Sequence, residues 1–505
     1  MPEPADPALQ GAAAHDDVPE QVRVRREKYD RLVADGTPPY PLGYPRTATL
    51  AEVRERHGHL QAGEESGETV SVTGRVMLSR QGGKLCFATL AEGEATLQVM
   101  VSLAGVGEQR LADWKRDVDL GDHVGVTGQV VSSKRGELSV MATSWQLTSK
   151  ALRPLPDKHH GLTDPEARVR RRYVDLVVNP SSRQMVRGRA TVVRSLRETF
   201  WRHGFVEVET PTLQLVHGGA AARPFHTHVN ALDLDVTLRI ALELYLKRAV
   251  VGGIDKVFEI GKNFRNEGID ATHFPEFTME EFYEAYGDYD TVAALTRELV
   301  LDAARAVGRT VVPDGAGGEI DLEQPWRSVT LHGAVSEAVG EQVDAGTPLI
   351  RLRQLADERG VALKPEWDEG EAVLELFEQL VEHTLLEPTF VRDYPVSVRP
   401  LARDHRDDPR LAEAWDLVVA GTELATGYSE LVDPVEQRRR LTEQSVKAAG
   451  GDPEAMQLDE DFLRALEHGM PPTGGQGMGV DRLVMLLTGA PIRETILFPL
   501  VRPEQ

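Results

Sequence analysis

Between residues 69 and 148 apolar and polar positions alternate with a period of two. The segments TVSVTGRVML, KLCFATL, ATLQVMVS, DHVGVTGQVV and ELSVMATSWQLT each read as a short strand, most of them separated by glycine-containing turns. Five strands so closely spaced predict a small β-barrel of the OB type. Ahead of them, EQVRVRREKYDRLVADG has helical spacing and a glycine stop, and TPPYPLGYP follows as a loop. Behind them, RPLPDKHHGLTDPEARVRRRYVDL reads as a linker running into a helix. From about residue 185 onward, helical and strand patterns alternate without a βαβ rhythm, so an α+β domain on an antiparallel sheet is expected rather than a doubly wound one. The expected organisation is a disordered tail over 1–20, a helix and connecting segment over 21–68, the barrel over 69–152, a linker and helix over 153–184, and the α+β domain over 185–505.

Composition narrows the class. The 505 residues are 41% hydrophobic and 27% charged, as in soluble globular proteins. No apolar run is long enough to cross a bilayer, and the first residues lack the basic and apolar regions of a signal peptide, so a cytoplasmic location and no membrane contact are expected. One cysteine, Cys86, excludes an internal disulfide and a cysteine-based zinc site, and its place in KLCFATL assigns it to packing. The net charge of -23 argues against nucleic acid until it is divided. Residues 21–160 hold 19 Lys and Arg against 17 Asp and Glu, and the remainder holds 38 against 63. The front part is therefore nearly neutral, and a polyanion could be bound there by local patches.

Three clusters carry chemistry. In FRNEGIDATHFPEFTMEEFY, a strand from Glu276 puts Phe277, Met279, Glu281 and Tyr283 on one face and Glu276, Thr278 and Glu280 on the other. An edge strand with one wet face is the plain alternative. The preceding strand KVFEIGKNFR ends in Arg265, and a hairpin would bring its guanidinium to the acidic strand as a clamp for carboxylate or phosphate. In MPPTGGQGMGVDRLVMLLTG a glycine-rich strand feeds an apolar helix with Arg482 in its first turn, which suits close approach of backbone to an anion. In AWDLVVAGTELATGYSELVDP, Asp416, Glu423 and Glu430 recur every seven residues, either as ligands of a hard cation or as solvated positions. Neither GxxxxGK[ST] nor GxGxxG follows a strand.

The segments GFVEVETPTL, FRNEGIDATHFPEFT and GMGVDRLVMLL, with HGGAAARPF, ELYLKR, GYSEL and RPLPDKHHGLTD in order, resemble the motifs of the class II aminoacyl-tRNA synthetases, and among these the bacterial lysyl-tRNA synthetases. The resemblance runs from about residue 20 to the C-terminus. It implies a catalytic domain on an antiparallel sheet, an N-terminal OB domain that reads the anticodon, and a homodimer formed partly around Pro211 in the first motif. The implied ligands are L-lysine, ATP with Mg2+, and tRNA(Lys). Carried over residue by residue, Arg265 and Arg482 match the two ATP arginines and the catalytic positions, the first gripping α-phosphate and lysine carboxylate, the second stacking on adenine. Phe277 matches the other face of adenine, and Glu267 and His273 match loop residues that meet ATP. Asp416 and Glu423 match the magnesium ligands, with Asp where many relatives have Glu. Glu243 and the backbone of Gly219 match contacts to the α-amino group, and Glu281, Tyr283, Tyr428 and Glu430 match the lysine pocket. In the barrel, Arg80, Phe87, Gln98 and Glu137 match the anticodon-reading positions.

The chain departs from the family at Leu242, where proline is usual, and at Phe274 and Thr426, each a position of frequent asparagine. Two other readings stay in view. One is a lysyl-adenylate former that passes lysine to an acceptor other than tRNA; short relatives of that kind lack the OB domain and lipid-linked ones carry membrane helices, whereas this sequence has the first and lacks the second. The other is a second-copy enzyme, for example one insensitive to an inhibitor. A catalytically dead paralogue would require loss of the motif arginines or acids, and all are present.

Overall fold

The computed structural model describes residues 19–156, 162–449 and 456–503. Most of the expected N-terminal tail, residues 1–18, and part of the expected linker lie outside these. The chain divides into two compact units, residues 1–180 and 181–505.

In the first unit five strands close into a barrel: β1 (Glu65–Gln81), β2 (Leu85–Glu92), β3 (Ala95–Ser102), β4 (His123–Ser132) and β5 (Leu138–Ser149), in the order β1-β2-β3-β5-β4. Their inward positions are Val70, Val72, Val76, Cys86, Ala88, Leu90, Leu97, Val99, Val124, Val126 and Val140, all buried. Cys86 packs as expected. Two helices longer than a single turn appear that the alternation did not announce. Leu50–His57 is started by a capping box in which Thr49 and Glu52 satisfy each other's backbone amides. Glu108–Asp117 follows β3 and buries Leu111 and Trp114, the latter edge-on to Trp145 with ring centroids 5.1 Å apart. The N-terminal helix runs Glu20–Ala34, as its spacing predicts.

The second unit is built on eight strands: β6 (Val206–Glu207), β7 (Lys256–Phe264), β8 (Glu276–Ala285), β9 (Arg327–Thr330), β10 (Thr389–Pro395), β11 (Leu411–Val419), β12 (Thr422–Ser429) and β13 (Thr473–Gly479). Their order is β9-β10-β11-β12-β13-β8-β7-β6, antiparallel except for the outermost pair at each edge. One face is the core. The helices Pro180–Arg202 and Tyr289–Ala306 lay Phe200, Val292 and Leu299 against Phe258, Phe282 and Trp415 of the sheet, and Phe200 stacks on Phe258 at 4.2 Å. β8 lies between β7 and β13, so it is no edge strand. Its even face is covered as well: Glu280 is fully buried, and neither carboxylate oxygen has a hydrogen-bond partner among the described residues. Burial raises that carboxyl far above the ordinary carboxylate range, with the charge of Glu281 adding to the shift. The odd face of β8, bearing Phe277, Met279, Glu281 and Tyr283, looks away from this core.

Candidate active site

The hairpin of β7 and β8 pairs Phe264 with Glu276, Asn263 with Phe277 and Glu259 with Glu281. Arg265 stands just past β7, and its amide donates to Pro275 O at 2.9 Å, closing the loop between the strands. Inside the loop Asp270 Oδ1 accepts from the amides of Thr272 and His273 at 2.7 and 2.8 Å, which turns His273 back toward the sheet. Those amide bonds, that of Thr272 foremost, hold the Asp270 carboxyl well below its ordinary range.

The loop, β12, β13 and the helix Val480–Thr488 enclose a cavity of about 250 Å3. Arg265, Glu267, His273, Phe277 and Arg482 all line it, together with Glu423 and the two departures Phe274 and Thr426. Arg265 lies over the Phe277 ring at 5.1 Å. Arg482 donates to the backbone oxygen of Glu423 at 2.6 Å and lies 3.6 Å from its carboxylate and 3.3 Å from His273 Nε2, so its acidic neighbour lines the cavity. One carboxylate fixes the frame: Asp481 accepts from the Thr278 amide at 2.6 Å and from Arg189 at 2.5 Å, tying helix, strand β8 and the helix Pro180–Arg202 together.

On the same sheet face a second group converges on Tyr283. Burial raises its phenol far above the ordinary value, and Glu243, Glu281, Glu430 and Tyr428 add to the shift, which places all four around it. Glu281 accepts from the Leu242 amide at 3.0 Å. Burial pushes its carboxyl up to about 8, with that amide pulling the other way. Gly219 adopts φ +85, and a Cβ there would stand 3.1 Å from that of Glu243. Gly475 has to be glycine, because a side chain would collide with the Glu430 carboxylate and the Tyr283 ring. Glu430 is buried and pairs with the buried ammonium of Lys247, not with a surface arginine.

Arg265 stands between the two groups: it feels Glu267 and Glu423 on the cavity side and Glu281 on the other, while burial, the largest influence, lowers its pKa. Burial raises the Glu423 carboxyl, and the charge of Asp416 adds to the shift. Among the described residues no three His, Cys, Asp or Glu side chains are gathered as a ready metal cage. Asp416 Oδ2 is held by Arg399 at 2.5 Å, and its buried Oδ1 has no hydrogen-bond partner among the described residues. Asp416 with one unpartnered oxygen and Glu423 lining the cavity are hard oxygen donors, the chemistry that suits a divalent cation such as magnesium. Lys247 and Arg399 are the site residues that sequence reasoning missed; only Lys247, four positions after Glu243 in a helical stretch, carried a readable signal.

In the barrel, β1 pairs with β2 so that Arg80 lies opposite Phe87, and β2 with β3 so that Thr89 lies opposite Gln98. Arg80, Phe87 and Gln98 therefore share the outer face. Gln98 donates to Ser139 Oγ at 2.9 Å, and Glu137, two residues earlier, is exposed beside Arg54 at 3.4 Å.

Residues 164–502 match the family model of class II tRNA synthetases (D, K and N), and residues 70–148 match that of the OB-fold nucleic acid binding domain. The chain is 58% identical to a lysine–tRNA ligase of Kineococcus radiotolerans over 97% of its own length and 98% of that protein's. It is 52% identical to a lysine–tRNA ligase of Mycobacterium bovis over 98% and 99%. It is also 54% identical, over 96% of its length, to the lysylphosphatidylglycerol biosynthesis bifunctional protein LysX of Nocardia farcinica, of which it covers 43%. The chain belongs to the class II tRNA synthetases, in the family of the lysine–tRNA ligases.

Proposed function

We propose that the protein activates L-lysine with ATP and transfers it to the 3′ end of tRNA(Lys). The observation that carries this reading is the position of Arg265, between a cavity lined by every ATP-matched residue and the carboxylates matched to lysine. In the first step an oxygen of the lysine carboxylate attacks the α-phosphorus, a new P–O bond forms, and the bond to the bridging oxygen breaks to release pyrophosphate. Both partners are anions, so catalysis is positioning and neutralisation of charge. Arg265 grips carboxylate and α-phosphate, Arg482 and Phe277 enclose the adenine, and Glu267 and His273 complete the ATP contacts. No base is needed, since the carboxylate is already ionised at neutral pH. Asp416 and Glu423 would hold magnesium, which when bound draws charge from the phosphate oxygens. Glu243 and the backbone of Gly219 take the α-amino group, and Glu281, Tyr283, Tyr428 and Glu430 take the side chain and its ammonium. In the second step a ribose hydroxyl of the terminal adenosine attacks the lysyl carbonyl carbon, and AMP leaves with the bridging oxygen.

Arg80, Phe87, Gln98 and Glu137 read the anticodon, a role supported by the shared outer face of the first three. A homodimer around Pro211 is supported by the exposure of Trp201, Val206, Leu213 and Leu215 beside it. The protein works in the cytoplasm, where its nucleic acid substrate is; no helix of the described residues is long and apolar enough to cross a membrane. The test is lysine-dependent exchange of pyrophosphate into ATP, followed by charging of tRNA. Both are expected. Absence of exchange would overturn the activity, and exchange without charging would move the acceptor from tRNA to another molecule, the alternative raised by the bifunctional relative.

A further inference from the structure

Lys247 sits one turn after Glu243 on the helix Glu243–Val251, and its side chain is fully buried. Its ammonium lies 2.6 Å from Glu243 Oε1 and 2.5 Å from Glu430 Oε2, the latter a close ion contact rather than an aligned hydrogen bond. Each carboxylate thus spends one oxygen on Lys247. The second oxygen of Glu243 faces Gly219, 3.8 Å from where a Cβ would stand. The second oxygen of Glu430 lies against Tyr283 and Gly475 and has no hydrogen-bond partner among the described residues. A buried carboxylate oxygen in that state calls for a donor from outside the chain.

We infer that Lys247 is a positioning residue of the lysine pocket: it ties Glu243 to Glu430, aims their free oxygens at the two ammonium groups of the substrate, and sets the charge that makes the pocket complementary to lysine. With every group ionised, Glu243, Glu281 and Glu430 against Lys247 and Arg265 leave one negative charge. Lysine, with two ammonium groups and one carboxylate, brings one positive charge. A helix-surface ion pair at this spacing would serve the helix alone, whereas this lysine reaches a second element, the end of β12. The groups that face Glu430 are Lys247, Glu243, Glu281 and Tyr283. Burial pushes the Glu430 carboxyl up to about 8 and Lys247 pulls it back, so removal of the ammonium carries its titration to a higher pH still and keeps the carboxyl protonated over a wider range.

The inference rests on the lysine pocket proposed above, and the test separates the two. Lys247→Met removes the ammonium at similar volume, Lys247→Gln keeps a donor for the carboxylates, and Glu430→Gln probes the pocket itself. Lysine-dependent pyrophosphate exchange is followed from pH 6.5 to 9.5. Both Lys247 variants are expected to raise the lysine KM at least tenfold at pH 7, to recover part of it at a higher pH than the parent does, and to leave the ATP KM within twofold. Glu430→Gln is expected to raise the lysine KM at every pH, with only the pH dependence that Glu281 leaves. A Lys247→Gln enzyme with the lysine KM and pH profile of the parent would overturn the inference, and it decides the matter if Lys247→Met does not fold. A raised KM whose pH dependence is that of the parent, or an equal rise for ATP, would overturn it too. A parental lysine KM in Glu430→Gln would instead remove the pocket reading, whatever the Lys247 variants do.

Discussion

The amide of Leu242 gives Glu281 a hydrogen bond that proline, lacking an N–H, cannot give. Leu242→Pro is therefore expected to raise the lysine KM several-fold and leave the ATP KM unchanged in exchange assays. The Glu281 carboxyl, pushed up to about 8, also fixes a pH dependence. Its folded-state value lies above the unfolded one, so its contribution to the stability of the empty protein is full below the ordinary carboxylate range and is lost as pH rises through about 8. Bound lysine favours the ionised form, and the rise in Tm caused by saturating lysine should be larger at pH 8 than at pH 6. Equal shifts would show that Glu281 does not face the substrate. Asp416→Asn keeps the shape that Arg399 holds while removing a charge. Calorimetric titration of magnesium in the presence of a non-hydrolysable ATP analogue should then show at least tenfold weaker binding. At this scale the strand period revealed Phe277, Glu281 and Tyr283, because alternation is local. The partner of Asp416 was hidden, because Arg399 reaches it from an irregular segment whose path depends on how the edge of the sheet folds.

Strands and hairpins were legible to within a few residues wherever glycine-containing turns separated alternating runs, and the barrel is the clearest case. Its two short helices were not. Leu50–His57 has too few turns for a period to emerge, and only the Thr49–Glu52 spacing announced it; Glu108–Asp117 has just two core-facing apolar residues, Leu111 and Trp114. The register of β1, β2 and β3 also shows which way a barrel phenylalanine points. Cys86 and Ala88 point inward, and Phe87, half-exposed between them, points outward beside Arg80. A stacked base is worth roughly 1–3 kcal/mol on an aromatic platform. Phe87→Ala should raise the KM for tRNA by about tenfold or more on that scale, with exchange in the absence of tRNA and thermal stability little altered. Loss of exchange in step with charging would return Phe87 to a structural role.

The acidic charge of the whole chain gave little warning of an RNA substrate; the division between a near-neutral front and an acidic remainder only left room for one. Assembly is a property of the same scale. Leu213 and Leu215 sit exposed next to Pro211, and a dimer would cover them. Leu213→Asp combined with Leu215→Asp should shift the sedimentation coefficient from that of a dimer to that of a monomer, and lower exchange at least tenfold. A parental sedimentation profile would place the contact elsewhere. The reason activity should follow assembly lies in Asp481. Its two oxygens join the long helix that leads into Pro211, the central strand bearing Phe277, and the helix bearing Arg482. It is a mechanical linkage: a displacement of the long helix would be handed to Arg482 largely through one carboxylate, so exchange would report on whether a neighbour is in place.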